Sequence, residues 1–454
     1  MCSRRSRPVT GVVLVVAILC LATGCATRQA PRDSADPAPD PSSVERAIED
    51  ASKGDVFALD QMIPRIADPG LAAIARARAS ASRLHESEVA PILAELLQDP
   101  TTSATQQALA WSVMADASFA QGDYTGAAAA AASLSGALED SGAAQKRIDD
   151  ARQMESVARV LGASPRQVVA AYAPSPASFG RDKVGLPRAR VTINGAEQEA
   201  VLDTGANLSV VSRSAAGRLG LRILEGQPTV GSSSREAVAT RIGIADELEL
   251  AGLRLKNVAF LVLDDTHLSF PVPGGYRIDA IVGFPVFREF KRVRFDRSGR
   301  LVPEPGLAQP DTLSAGNLRV VGSNLYVEAG INGIPVALHL DSGGTASSLS
   351  ALFSERHADV VDGLPRQDER LAGAGGATTR VAATLAGARL TLADRSVVVP
   401  ELSVVISDGA DVESDNFGVL GGDVLDRFAS WSLDFVNMSF EFGPEPGRVG
   451  SVGE

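Results

Sequence analysis

The sequence predicts an α + β multidomain chain, in which an α-helical N-terminal half is followed by two duplicated all-β lobes. Three observations carry that expectation. Residues from Val44 to about Ala171 are alanine-rich and amphipathic, and beyond Pro174 and Pro176 they give way to short Val/Ile/Leu/Thr runs separated by Gly, Asn and Asp. The β-type region then repeats itself at one constant offset. A length of 454 residues is too great for one small core and implies two or three domains, and 45% hydrophobic with 22% charged residues is ordinary for globular domains. The net charge of −12, without a basic stripe, excludes a nucleic-acid partner, whose affinity would come from clustered Lys and Arg.

At the N-terminus, Arg4, Arg5 and Arg7 precede an apolar run from Val12 to Ala22, followed by Thr23, Gly24 and Cys25. The run is too short for a comfortable membrane span, and small residues at Ala22 and Gly24 suit a processing peptidase, so residues 1–24 read as a secretory signal peptide. The segment resembles the bacterial lipobox, with Ala22 where that family more often has Leu. The resemblance implies acylation of Cys25 and a lipid-anchored protein of the bacterial cell envelope that faces the periplasm and touches the membrane through its lipid alone. By resemblance to the usual sorting rule of that family, Ala26 after the cysteine, in place of Asp, implies the outer membrane rather than the inner. An uncleaved signal anchor is the alternative. Cys2 and Cys20 leave with the signal peptide and no other cysteine follows Cys25, which excludes disulfides, thiol catalysis and a thiolate zinc site. His85, His267, His339 and His357 stand at unrelated spacings and read as structural, so neither a metal nor a cofactor is expected.

Residues 25–43 are rich in Pro, Asp and Ser and read as a flexible tether. The helical domain spans 44–173, with Gly54-Asp55, Asp68-Pro69-Gly70, Asp99-Pro100 and Gly122-Asp123 as helix stops and turns. Ala117, Phe119, Gly122, Asp123, Tyr124 and Ala127 resemble one degenerate tetratricopeptide unit, with an irregular bundle as the alternative. The prolines at 174 and 176 mark this half as a separable module that recruits a protein partner, and a fragment beginning near Phe179 is expected to fold alone.

The two β lobes are assigned to 180–305 and 318–445. Asn194-Gly195 and Asn332-Gly333 each stand between extended runs, the strongest short hairpin signal. The offset between them is 138 (332 − 194), and the same offset relates Asp203 to Asp341 (341 − 203) and Gly283 to Gly421 (421 − 283). In this register Val201-Leu202-Asp203-Thr204-Gly205-Ala206 lies over His339-Leu340-Asp341-Ser342-Gly343-Gly344, and Ala280-Ile281-Val282-Gly283 lies over Gly418-Val419-Leu420-Gly421.

Paired carboxylates on such turns have a chemical logic. Hydrolysis of a peptide bond without a metal or a covalent intermediate needs a carboxylate to take a proton from water and a carboxylic acid to polarise the carbonyl. Two carboxyls about 3 Å apart cannot both ionise, so they share one proton. Gly205 and Gly343 would let the backbone turn sharply and bring N–H groups to the carboxylates, and the hydroxyls of Thr204 and Ser342 could bond across the lobe junction. A lone Asp-Thr-Gly is as often a plain turn with a solvated Asp; its repetition in register argues otherwise.

Over roughly 186–300 and 318–443 the chain resembles the aspartic peptidases of the retropepsin and pepsin clan. The resemblance implies catalytic aspartates at Asp203 and Asp341, supported by Thr204, Gly205, Ser342 and Gly343, with Gly283 and Gly421 on the apolar turns beneath them. It implies an endopeptidase acting on extended polypeptide and closed by glycine-rich hairpins, for which Gly231–Ser234 and Gly373–Gly376 are candidates. Gly344 departs from the family, which usually has Ala, Ser or Thr there. A non-catalytic peptide-binding or scaffold lipoprotein that retains the fold is the alternative, and pairing of lobes between chains is a third arrangement. The 301–318 connection is long enough for pairing within one chain.

Overall fold

The computed structural model describes residues 38–230, 238–270, 273–306, 316–373, 376–406 and 416–443. The signal peptide, Cys25, most of the tether, Gly231–Ser234 and the centre of the 301–318 connection lie outside the described residues.

Seven helices open the described chain: α1 (Pro41–Ser52), α2 (Val56–Met62), α3 (Pro69–Ser82), α4 (Val89–Gln98), α5 (Ala104–Ala120), α6 (Tyr124–Asp140) and α7 (Gln145–Leu161). Several residues read as helix stops are helix starts. Asp55, Asp68 and Asp123 each accept a hydrogen bond from a backbone N–H three residues on, at 3.4, 2.7 and 3.0 Å, and so cap α2, α3 and α6. Asp99 does end α4. Helix α1 begins within the expected tether, because Asp40 caps it and Pro41 occupies its first turn, where a missing N–H costs nothing.

The helical half is not insulated from the β half, which corrects its reading as a separable module. Val321 and Tyr326 of the second lobe are buried in the core formed by α1 to α5, and the Tyr326 ring fills the space a side chain at Gly54 would need. Arg319, 1% exposed, donates from Nε and Nη2 to Asp60 Oδ2 at 3.1 and 2.8 Å. On the first lobe, Val157 and Leu161 of α7 share a cluster with Val201, Val210 and Ile281, and Arg288 pairs with Glu86 at 2.7 Å. Alanine-rich helices offer little apolar surface to one another, so they bury larger side chains borrowed from the lobes. The boundary shifts accordingly. Val168–Tyr172, read as helical, is a strand antiparallel to Leu253–Lys256, in keeping with its β-branched Val168 and Val169.

The two lobes repeat one strand order. In the first, strands Pro187–Ile193 and Ala196–Leu202 form a hairpin, Ala280–Val282 runs parallel to the second of these, and Ser209–Ser212, Leu253–Leu263 and Arg241–Leu250 follow. Arg241–Leu250 returns to pair with Pro187–Ile193, which closes the sheet on itself. The second lobe does the same with Asn324–Ile331, Ile334–Leu340, Gly418–Leu420, Ser348–Leu349, Arg395–Val405 and Gly376–Leu392. Each hairpin turns on its Asn-Gly pair with both residues at positive φ, 49° and 80° in one lobe and 51° and 90° in the other, as a type I′ turn requires.

The first-lobe sheet continues beyond Pro187–Ile193 and joins the lobes: Ala177–Arg181, Arg300–Glu304, Arg292–Asp296, Ser430–Asp434 and Ser439–Phe442 follow in order, so the last strands of the second lobe complete a sheet begun by the first. Phe295 and Trp431, in-register partners across the seam, stack at 4.0 Å.

Candidate active site

Asp203 and Asp341 stand just beyond the ends of Ala196–Leu202 and Ile334–Leu340. Each is anchored by its own lobe in the same way: Asp203 N–H donates to Val282 O and Asp341 N–H to Leu420 O, both at 3.0 Å. The apolar-glycine turns are in turn held by a serine hydroxyl, Ser209 accepting from Gly283 N–H at 3.1 Å and Ser347 from Gly421 N–H at 2.9 Å. A Cβ at Gly283 would lie 2.8 Å from Leu208 O, and one at Gly421 2.8 Å from Ala346 O, so neither turn admits a side chain. Ser209 and Ser347 escaped the sequence reading, although the same 138-residue register (347 − 209) relates them.

The two motifs meet within one chain and interlock reciprocally. Thr204 Oγ1 donates to Leu340 O at 2.9 Å and accepts from Ser342 N–H at 3.0 Å. Ser342 Oγ donates to Leu202 O at 2.9 Å and accepts from Thr204 N–H at 3.0 Å. All four bonds are buried, where an unmade bond costs the full desolvation of its groups. The interlock presses each aspartate onto the glycine of the other lobe. A Cβ at Gly205 would lie 2.7 Å from Asp341 Oδ1, and one at Gly343 2.7 Å from Asp203 Oδ1. Neither glycine has a positive φ. The motif needs glycine for clearance across the junction rather than for the sharp turn that the sequence suggests.

The symmetry is incomplete at the carboxyls. Asp203 Oδ1 accepts from Gly205 N–H at 2.9 Å and Ala206 N–H at 3.0 Å. Among the described residues Asp341 Oδ1 is buried without a hydrogen-bond partner. Gly344 sits where the first lobe has Ala206, and a Cβ there would come within 2.8 Å of Asp341 Oδ2, so the departure from the family pattern leaves room for the carboxyl. Burial pushes the Asp203 carboxyl well above its ordinary range, the neighbouring charge of Asp341 adds to this, and the two N–H donors oppose it. Burial and the neighbouring carboxyl together favour the protonated form of Asp203.

His339 lies two residues before Asp341. Its Nδ1 is 3.2 Å from Leu325 O, its ring packs on Tyr326 with centroids 5.5 Å apart, and burial holds its imidazole below the ordinary value, hence neutral. Among the described residues no group of three His, Cys, Asp or Glu could hold a metal ion. Of the two hairpins named as closures, the one containing Gly373 and Gly376 joins the antiparallel strands Arg366–Gly373 and Gly376–Leu392. The first-lobe candidate falls between the paired strands Thr229–Val230 and Val238–Ala239.

Comparison with known proteins adds a family signal on the first lobe. Residues 189–286 match the model of a family described as aspartyl protease. Among solved structures the chain is similar to a retropepsin-like aspartic protease from Rickettsia conorii at 17% identity, over 30% of this chain and 91% of that one, with a TM-score of 0.20. The search of curated proteins finds no match.

Proposed function

We propose that the chain is an aspartic endopeptidase that hydrolyses extended polypeptides with a water activated between Asp203 and Asp341. The observation that carries this reading is the reciprocal Thr204–Ser342 interlock, which sets each carboxyl against the glycine of the opposite motif. In the reaction, the carboxylate of the pair takes a proton from the water as its oxygen attacks the carbonyl carbon, and the protonated partner gives its proton to the carbonyl oxygen. Collapse of the tetrahedral intermediate then breaks the C–N bond as a proton passes to the departing amine. An extended substrate can add as a strand to hairpin edges above the pair. Acylation at Cys25, a place in the cell envelope facing the periplasm and a tetratricopeptide-like, partner-binding role for the helical half belong to the same proposal and rest on sequence patterns alone. The test is digestion of a fluorogenic peptide library by the purified mature chain, compared with Asp203→Asn and Asp341→Asn. Cleavage by the wild type that either substitution abolishes supports the reading; cleavage that survives both ends it.

A further inference from the structure

In-register neighbours across a sheet point to the same face, so the walls flanking the two aspartates can be read from strand pairing. In the first lobe the row that includes Val201, on the face of Asp203, runs Val201–Ile281–Val210–Leu261–Ile242. Every member is apolar and buried, and the row shares its cluster with Val157 and Leu161 of α7. The corresponding row of the second lobe runs His339–Val419–Ser348–Ser403–Thr384. Four of its five members are polar, and all but His339 are partly exposed. Ser403 Oγ donates to Glu369 Oε2 at 3.0 Å, and Arg380 Nε donates to the same oxygen at 2.8 Å, so acid and base neutralise each other at the end of the row. Among the described residues, Ser348 and Thr384 direct their hydroxyls to no protein partner.

Resting on the peptidase reading, we infer that this row is a polar subsite that selects an uncharged hydrogen-bonding side chain, Asn, Gln, Ser or Thr, on the substrate residue beside Asp341. Nothing comparable faces Asp203, because the matching wall is apolar and covered. The preference therefore falls on one side of the scissile bond. The Ser348 and Thr384 hydroxyls, covered and left unpaired by an apolar side chain, disfavour that substrate more than one extra methylene would. The neutralised Glu369–Arg380 pair offers no net charge to draw a charged residue.

The experiment uses two sets of peptides varied at the residues flanking one amide, one set cleavable and one with that amide reduced so that it binds without reacting. Each set is measured on wild type, on Ser348→Val/Thr384→Ile/Ser403→Leu, which places the first-lobe residue types at the three hydroxyl positions of the row, and on Ser403→Ala, which removes a single hydroxyl. Wild type should favour Gln over Leu at least tenfold at one flanking position only, in kcat/KM and in binding. The triple variant should reverse that preference and Ser403→Ala should weaken it. Equal or tighter use of Leu at both positions, or a preference that the single and triple variants both leave unchanged, overturns the subsite. Failure to cleave counts against the peptidase reading alone, since the reduced-amide peptides still report the preference.

Discussion

Replacing Thr204 by Val keeps the shape of the side chain and removes one oxygen. That oxygen gives a hydrogen bond to Leu340 O at 2.9 Å and takes one from Ser342 N–H at 3.0 Å, in a side chain with no exposure. Valine leaves no cavity, so the loss is that of two buried groups without partners, at about 1–3 kcal/mol each. Relaxation toward one another at the junction favours the lower part of the sum, and a loss of about 3 kcal/mol in stability is expected. Thr204→Ser keeps the oxygen and deletes one methyl, worth about 1 kcal/mol. Urea unfolding followed by tryptophan fluorescence suits the test, because Trp431 stacks on Phe295 in the sheet that joins the lobes. Peptide cleavage should fall about 100-fold in the valine variant, the scale expected when reacting groups shift by about 1 Å, and far less in the serine variant. Ser342→Ala should behave like Thr204→Val, and the double variant should lose less than the sum, since the two side chains share the junction. Unfolding midpoints for Thr204→Val and Thr204→Ser that coincide within about 0.5 kcal/mol would refute the reasoning.

Asp203→Asn and Asp341→Asn should each abolish cleavage, and the double variant should be no worse, because half a pair supplies neither acid nor base; activities that multiply independently would argue for separate roles. The raised Asp203 pKa makes the folded state bind more protons than the unfolded chain, so wild-type stability falls as pH rises from the unfolded value of 3.8 through the folded one, and Asp203→Asn should flatten that fall in thermal unfolding series. Gly343→Ala should reduce cleavage at least 100-fold, by forcing a methyl against Asp203, while the chain still folds by circular dichroism. A fragment beginning near Phe179 should be insoluble or unfolded, since it strips the cover from Val321, Tyr326 and Arg319, and a cooperative unfolding transition in that fragment would contradict the shared core. Cys25→Ser should abolish metabolic labelling with palmitate.

What was legible in the sequence was whatever the duplication wrote twice. The offset of 138 between Asp203 and Asp341 led to both motifs, both apolar-glycine turns and both Asn-Gly hairpins, since each needs particular residue types at fixed spacing. The same register held Ser209 and Ser347, but a serine serves so many roles that its repetition does not stand out. The reason for glycine at 205 and 343 was out of reach, because the clearance it provides is to a side chain of the other lobe. Nor could spacing along α1 to α5 reveal that Tyr326 and Val321 complete their core from 204 or more positions away (321 − 117), because helical periodicity reports that a face is buried without saying by what. Aspartates that cap a helix were mistaken for helix stops for a related reason: Asp and Gly end one element and begin the next within two residues.

The seam between Arg292–Asp296 and Ser430–Asp434 has a consequence for biosynthesis. During synthesis the strand Arg292–Asp296 emerges with its neighbour Arg300–Glu304, but its other edge is filled by residues 134 to 142 positions later (430 − 296 and 434 − 292), Asp296 pairing with Ser430 and Arg292 with Asp434. At about 5–20 residues per second, the ribosome takes roughly 7–28 s to deliver that partner. Throughout that interval the nascent first lobe presents an open strand edge, the kind of surface that pairs with other chains. The partnership of Phe295 with Trp431 thus links completion of the C-terminus to the moment when the edge is sealed. A chain truncated before Ser430 would carry both aspartate motifs and still expose the edge of Arg292–Asp296.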